Sequence, residues 1–475
     1  MQSSNLALTG VILLSGILSV ILAPAVRAQC EFVKLTASDA EDLDDFGFSV
    51  AVEDDVMVIG AHTGSHLGSA YIYRYDGTQW IEEAILAALD GALGDQFGRS
   101  VAISGDVVVI GAPFDDDQVS QSGSAYVFRF DPDASAWIEE TKLTASNAAR
   151  EDWFGLNVAV SGDVIVVGAI NDDDACPQDP DCNSGSAYVY RFDPDMSAWT
   201  EEAKLTASDA AAGDVFGRSV SIDHDVVVIG APFDDDRGIF SGSAYVFRFD
   251  PDEAQWGQET KLIPNDNAAY DRFGDAVFIS NEVCAIGAPF NNGRGSTYVY
   301  RFDSDNSSWI EEANLTASDA EVFDQYGSSV SISEDTILVG AWRSDDAGSS
   351  SGSAYVYRFD SDTAPWMEES KLTASDAAEG DIFGIGVSVS GGRAVIGAAF
   401  DDDDGLNSGS AYVYSLGVGT GDTDGDGQVD FNRVFTLLTE AGYTGWAALE
   451  WECCVKSPEQ GAAEGAPFIA GHIIE

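Results

Sequence analysis

The sequence predicts an all-β fold, a seven-bladed β-propeller of four-stranded antiparallel blades, with a short α/β-like C-terminal tail. Three observations predict it. An aromatic-Gly pair recurs seven times, at Phe46-Gly47, Phe97-Gly98, Phe154-Gly155, Phe216-Gly217, Phe273-Gly274, Tyr326-Gly327 and Phe383-Gly384. Each pair is followed, 13 residues from Gly to Gly, by a Gly-Ala at Gly60, Gly111, Gly168, Gly230, Gly287, Gly340 and Gly397. Such a fixed offset tolerates no insertion, as expected of two strands joined by a tight turn such as "SGD". The third observation is a charged, Trp-led segment of the "WIEEAKL" type, beginning at Trp80, Trp137, Trp199, Trp256, Trp309 and Trp366. Repeats of this length that alternate strand and turn build closed, radially repeated sheets.

Taken in order, residues 1–28 read as a secretory leader cleaved after Ala28, with an uncleaved anchor as the alternative. An apolar run from Leu6 to Ala23 is followed by Val26-Arg27-Ala28, although no Lys or Arg precedes the run. No other apolar stretch approaches the roughly 20 residues of a membrane span, so none is expected in the mature chain.

The propeller occupies residues 30–416, and each unit contains strands of different depth. "VVVIGA" is continuously apolar, which suits a strand covered on both faces. "AYVFRF" alternates, placing Tyr245, Phe247 and Phe249 on one side and Arg248 on the other. The Trp-led fourth strand carries the charge that an outer edge requires. From the second Gly to the Tyr of "SGSAY" the offset varies between 11 and 20, marking a surface loop. The seventh unit stops at "SGSAYVYSLG" without a fourth strand, whereas "CEFVKLTASDA" at the start is a fourth-strand ending without a unit. Residues near Glu31 to Leu35 are therefore expected to complete the last blade and close the ring.

Charge narrows the partners. The chain of 475 residues has 81 acidic and 22 basic residues, a net charge of −59. Nucleic acid is not expected as a partner, since phosphate binding needs clustered Lys and Arg. A salty or calcium-containing exterior would relieve the self-repulsion. Among six cysteines, Cys176 and Cys182 flank a short insertion, "CPQDPDC", and are expected to pair; Cys284, inside an apolar strand, reads as a buried free thiol.

The aromatic-Gly and Gly-Ala-Pro pairs, notably "FGRS…VIGAPF" at 97–114 and 216–233, resemble the FG-GAP repeats of integrin α-subunit heads and of bacterial secreted proteins. The resemblance covers residues 30 to about 416 and implies a propeller used for adhesion or binding. Integrin-like repeats carry a D-x-D-x-D-G calcium loop between the FG and GAP strands. Here that place holds short turns, so the family's calcium sites do not transfer to this propeller.

Acid is concentrated elsewhere, in the second turns: Asp115 to Asp117, Asp172 to Asp174, Asp234 to Asp236, Asp345-Asp346 and Asp401 to Asp404, beside links carrying residues such as Asp209 and Asp214. In an up-and-down blade the second turns and the links share one face. Two readings of Asp234, Asp235 and Asp236 stand: oxygens converging on calcium, which takes six to eight hard ligands, or turn-forming side chains that stay solvated. Blades 1 and 5, with "HTGSH" and "NNGRG", break the pattern.

Residues 417–433 form a linker and a partial calcium loop. In "GDTDGDGQVDFNRV", Asp422, Asp424, Asp426, Gln428 and Asp430 are candidate ligands at EF-hand spacing, with Gly427 at the sharp turn and Arg433 where a carboxylate belongs. This resembles a dockerin repeat. Residues 434–475, with Glu450 in "GWAALEW", resemble the C-terminal end of xylose isomerase-like sugar phosphate isomerase/epimerase barrels. A barrel needs roughly 250 residues, so this tail cannot assemble that active site.

No catalytic constellation stands out. The four histidines, His62, His66, His224 and His472, are scattered, and "GSSSG" at 348–352 lies between strands where a nucleophile elbow needs a strand and then a helix. The expected function is a secreted or cell-surface binding or adhesion module for an extracellular protein or glycan, with calcium as a candidate cofactor and without catalysis of its own. The alternatives are an extracellular carbohydrate-active enzyme with its site on the acidic face, and a self-assembling surface coat.

Overall fold

The computed structural model describes residues 30–63, 67–173, 182–360 and 364–416. They form seven four-stranded antiparallel sheets, each with its strands hydrogen-bonded in chain order, except at the seam. There Cys30–Leu35 pairs antiparallel with Ser410–Ser415, so the first strand of the chain is the fourth strand of the last blade. The bond that closes the ring is thus a strand ladder between residues nearly 400 positions apart, and it leaves no blade incomplete. No helix among the described residues is long and apolar enough to cross a membrane. The calcium-loop residues Asp422, Asp424, Asp426, Gln428 and Asp430, the tail at 434–475 and the leader lie outside the described residues.

The recurring residues have a common physical cause. Each aromatic of the aromatic-Gly pair is at most 1% exposed and meets the third-strand Tyr of its own blade edge to face, for example Phe216 and Tyr245 with centroids 5.4 Å apart. The two glycines serve the blade and its neighbour together. Gly217 N donates to Gly230 O at 3.1 Å, closing the first hairpin of blade 4. A Cβ on Gly230 would stand 1.9 Å from the carbonyl oxygen of Gly274 in blade 5. Backbones of adjacent blades approach so closely that only hydrogen fits, and the same contact recurs around the ring to Gly397 against Gly47.

The expected depth order holds. Second strands such as Val226–Ala231 are buried throughout, and their side chains fill the cores between blades. At the circumference Arg248 binds Glu259 of its own blade at 2.6 Å and lies over Phe302 of the next at 4.7 Å. Trp256 Nε1 donates to Glu202 of the blade before at 2.8 Å. At the seam, where blade 7 has no such arginine, Arg393 lies over Tyr75 of blade 1 at 4.5 Å. Cys284 is a buried free thiol whose pKa burial pushes up. Cys182 is buried and disulfide-bonded, while Cys176 lies outside the described residues.

Candidate functional site

Second turns and blade links lie together on one face, called here the link face. Gly242, at the end of the blade 4 second turn, bridges in parallel to Phe273 in the link that follows, and five other turn–link pairs do the same. The acidic corners sit at these junctions.

The structure divides the aspartate trio of blade 4 into three roles. Asp234 is 3% exposed, so it does not stay solvated. Its Oδ1 accepts from Asp236 N at 2.9 Å, and its Oδ2 accepts from Tyr245 OH at 2.9 Å. Asp235 turns away and closes the loop by accepting from Phe240 N at 2.7 Å. Asp236, exposed, joins Asp234 and the link residue Asp209 around one cation, Lys261. Its Nζ lies 2.7 Å from Asp209, 2.7 Å from Asp234 and 2.6 Å from Asp236. Carboxylate oxygens of Asp209, Asp234 and Asp236 come within 4.8 Å of one another, close enough for a divalent ion. That space is where the ammonium sits, and calcium would have to displace it to gain its oxygens. The donor set as folded therefore fits a tethered ammonium.

Burial pulls the Lys261 pKa down, but its hydrogen bonds to Asp209, Asp234 and Asp236 reverse this and leave it raised. For Asp209, burial raises the pKa and the bonds from Lys261 and Tyr245 outweigh it, leaving the group lowered.

The same bracket recurs, and where the acidic corner is lost the lysine is lost with it. Lys142 holds Asp90, Asp115 and Asp117, and Lys34, from the closing strand, holds Asp376, Asp401 and Asp403. Lys204 holds Asp172, and Lys371 holds Asp319 and Asp346 with Ser344 in place of the buried acid. In blade 5 the lysine position is Asn314 and the buried acid is Asn291, whose amide donates to Tyr298 OH at 3.1 Å. In blade 1 the lysine position is Ile85. Five of the six lysines in the sequence are these five, present where the corner is acidic and absent where it is not. That covariation among repeats was the signal available in the sequence.

A second acidic set was also legible. An Asp stands two residues before every aromatic-Gly pair: Asp44, Asp95, Asp152, Asp214, Asp271, Asp324 and Asp381. All are 4 to 6% exposed, and each accepts from the backbone N–H three residues earlier, as Asp214 does from Ala211 at 2.7 Å. Burial outweighs that bond and raises Asp152 and Asp214 to about 6, and Asp95, Asp271, Asp324 and Asp381 in the same direction. A carboxyl with a raised folded pKa holds its proton longer when folded, so stability falls as pH rises from the ordinary value of 3.8 to about 6. Lowered groups such as Asp209 and Asp376 act oppositely, their contribution being lost below 3.8. The urea midpoint is therefore expected to be higher at about pH 5 than at about pH 7.5, and to fall again below about pH 4. A midpoint that rises steadily from pH 5 to pH 8 would contradict this.

His62 is buried against Phe48 with ring centroids 4.4 Å apart, and burial, then Arg99, pulls its pKa down to about 3. His224 lies on the opposite face, in the first turn of blade 4, exposed, with Nδ1 2.6 Å from Asp223. His66 and His472 lie outside the described residues.

The FG-GAP repeat model matches seven segments, residues 30–73, 80–128, 137–190, 199–247, 256–300, 309–357 and 366–414. Each match begins on the fourth strand of one blade and runs through three strands of the next, so the family unit is out of phase with the blade and its first copy starts on the closing strand. Among curated proteins, none matches the chain. With its seven matched units making up most of the sequence, the chain belongs to the FG-GAP repeat family.

Proposed function

We propose that the chain is a binding module that docks an extracellular partner on its link face. One observation carries this reading. Nineteen large hydrophobic residues are exposed among the described residues; twelve lie in second turns and links, six on outer strands, and only Met196 on the opposite face. Exposed apolar side chains gathered on one face of a highly charged protein, with polar residues between them, are the composition of an interaction surface. The apolar leader and the disulfide-bonded Cys182 support a secreted or cell-surface setting. Calcium is not required at the corners in this reading, because the lysine ammonium supplies the positive charge.

The test uses the full chain on an array of immobilised extracellular proteins and polysaccharides. Replacing Leu89, Val322 and Leu406 by Ser, spread round the link face, is expected to weaken retention at least about tenfold, each lost anchor being worth about 1 kcal/mol or more. Met196→Ser on the opposite face is expected to change nothing. Retention that survives the triple variant, or that only Met196→Ser removes, would show that the reading is wrong.

A further inference from the structure

We propose that the sector of the link face from blade 4 to blade 6 docks a protein segment that presents a carboxylate side chain between apolar neighbours. This rests on the link-face reading above and names its partner.

The first argument is charge. With 81 acidic and 22 basic residues, a cation without a carboxylate is the exception in this chain. The third-strand arginines each have a glutamate of the fourth strand, as Arg301 has Glu312 at 3.0 Å. Among the described residues Arg99, Arg237, Arg272, Arg294, Arg343 and Arg393 have no carboxylate within ion-pair distance, and four of these six, Arg237, Arg272, Arg294 and Arg343, lie in this sector. Arg294 Nη1 donates only to the Ala320 carbonyl, at 2.9 Å. The guanidinium of Arg272 lies over the rings of Phe233 and Phe290, 4.9 and 4.6 Å from their centroids. Blade 5 is also where the acidic corner is replaced, its second turn reading Asn291-Asn292-Gly293-Arg294. The ring of acid is thus interrupted at the place where most of the unpaired arginines gather, and a guanidinium fork is the natural receptor for a carboxylate.

Backbone conformation provides the second argument. Three residues before each aromatic-Gly pair the chain is left-handed, and blades 2, 4 and 7 use glycine there: Gly94, Gly213 and Gly380, with φ of 99°, 89° and 97°. Blades 1 and 3 place Leu43 (φ 70°) and Glu151 (φ 65°) there, while blades 5 and 6 hold the largest side chains in that conformation, Tyr270 (φ 74°) and Phe323 (φ 80°), with 58% and 67% of their surface exposed. A large side chain held at positive φ costs stability, and rings this exposed recover little of it by burial. Local rules broken in this way are expected where a surface is used.

These residues form one continuous surface. Tyr270 N donates to Ile239 O at 2.8 Å, Arg272 N to Phe240 O at 3.1 Å and Phe323 N to Gly293 O at 2.8 Å, so each link is laced to the second turn beside it. The rings of Phe233, Phe240 and Tyr270 contact one another edge to face, at 5.1 and 6.0 Å. Beside these rings Ile239 and Val322 are exposed aliphatic side chains, which suit the apolar side chains of a protein segment better than a hydroxylated sugar ring. A second copy of this chain would bring two charges of −59 together, which also favours a different partner.

The experiment pans a displayed random dodecapeptide library on the full chain and on Arg237→Glu/Arg294→Glu. The wild type is expected to enrich peptides with Asp or Glu between apolar residues. A synthetic peptide of the enriched sequence is expected to bind the double variant at least tenfold more weakly, and to lose as much when its own acid is made an amide. Phe323→Gly supplies the second readout: it is expected to raise the melting temperature while weakening the peptide. Enrichment of basic peptides, equal enrichment on the double variant, or unchanged peptide affinity in Phe323→Gly would overturn the proposal. A dimer that dissociates in the double variant would assign the surface to self-association, and an oligouronate that competes as well as the peptide would assign it to a glycan; either overturns it. If the link-face triple variant abolishes retention while these outcomes fail, the general reading survives and this one does not.

Discussion

Lys261→Met is expected to destabilise the propeller by about 3–5 kcal/mol at neutral pH, the usual consequence of leaving a buried charge without its partner. The Asp234 side chain is 5% exposed and keeps only Tyr245 OH and one backbone N–H, while Asp209 and Asp236 stand close by with like charge. The last two are about half exposed, so solvent screens much of their contribution and the effect belongs chiefly to Asp234. Two treatments are expected to restore stability. Millimolar calcium would find three carboxylates within 4.8 Å with no ammonium among them. Acid would discharge Asp209, whose pKa the Lys261 ammonium holds low, so the deficit should shrink as pH falls below the ordinary carboxylate value. Urea unfolding of wild type and variant with EDTA, with calcium and at low pH checks this. Wild type is expected to show no calcium dependence at these corners. A variant as stable as wild type, or one that neither calcium nor acid rescues, would remove the lysine from its assigned role.

Gly397→Ala is expected to be comparably damaging, at about 3 kcal/mol or more, by the different mechanism of overpacking at a site that cannot relax. Its Cβ would stand 1.7 Å from the Gly47 carbonyl oxygen and 3.2 Å from the Gly47 Cα. The obstacle is backbone, which no rotamer change can move. This contact is the seam where blade 7 meets blade 1, so shifting the blades apart also strains the ladder from Cys30–Leu35 to Ser410–Ser415. Gly257→Ala is the control: nothing lies within 4 Å of the added atom and no left-handed φ is involved, so its effect should stay within about 0.5 kcal/mol. Equal urea midpoints for the two variants would show that the inter-blade contact has slack the static geometry does not reveal.

Much of the fold was legible because its causes are local and repeated. The 13-residue spacing of the glycines reflects one hydrogen bond, Gly217 to Gly230, and one close approach, Gly230 to Gly274, so any insertion or side chain breaks both. The split fourth strand was legible because an unpaired edge is costly and only one other segment has its pattern. The candidate site was legible only in outline. The acidic corners were visible, but reading Asp234, Asp235 and Asp236 as one unit was misleading, since neighbours in sequence point to different partners. Lys261 is 52 residues from Asp209 and 27 from Asp234, beyond any local pattern.

The sequence by itself determined the number of blades, the strand order within each and the way the ring closes, because hydrophobic period and turn length act over a few residues. It also determined that five lysines accompany five acidic corners. Only the tertiary structure decided what those lysines do, because an ammonium and three carboxylates meet only when two strands, a turn and a link are brought to one corner. The tertiary structure alone also showed Tyr270 and Phe323 standing out from left-handed backbone on the link face, since a side chain's name does not disclose the φ at which the finished ring holds it.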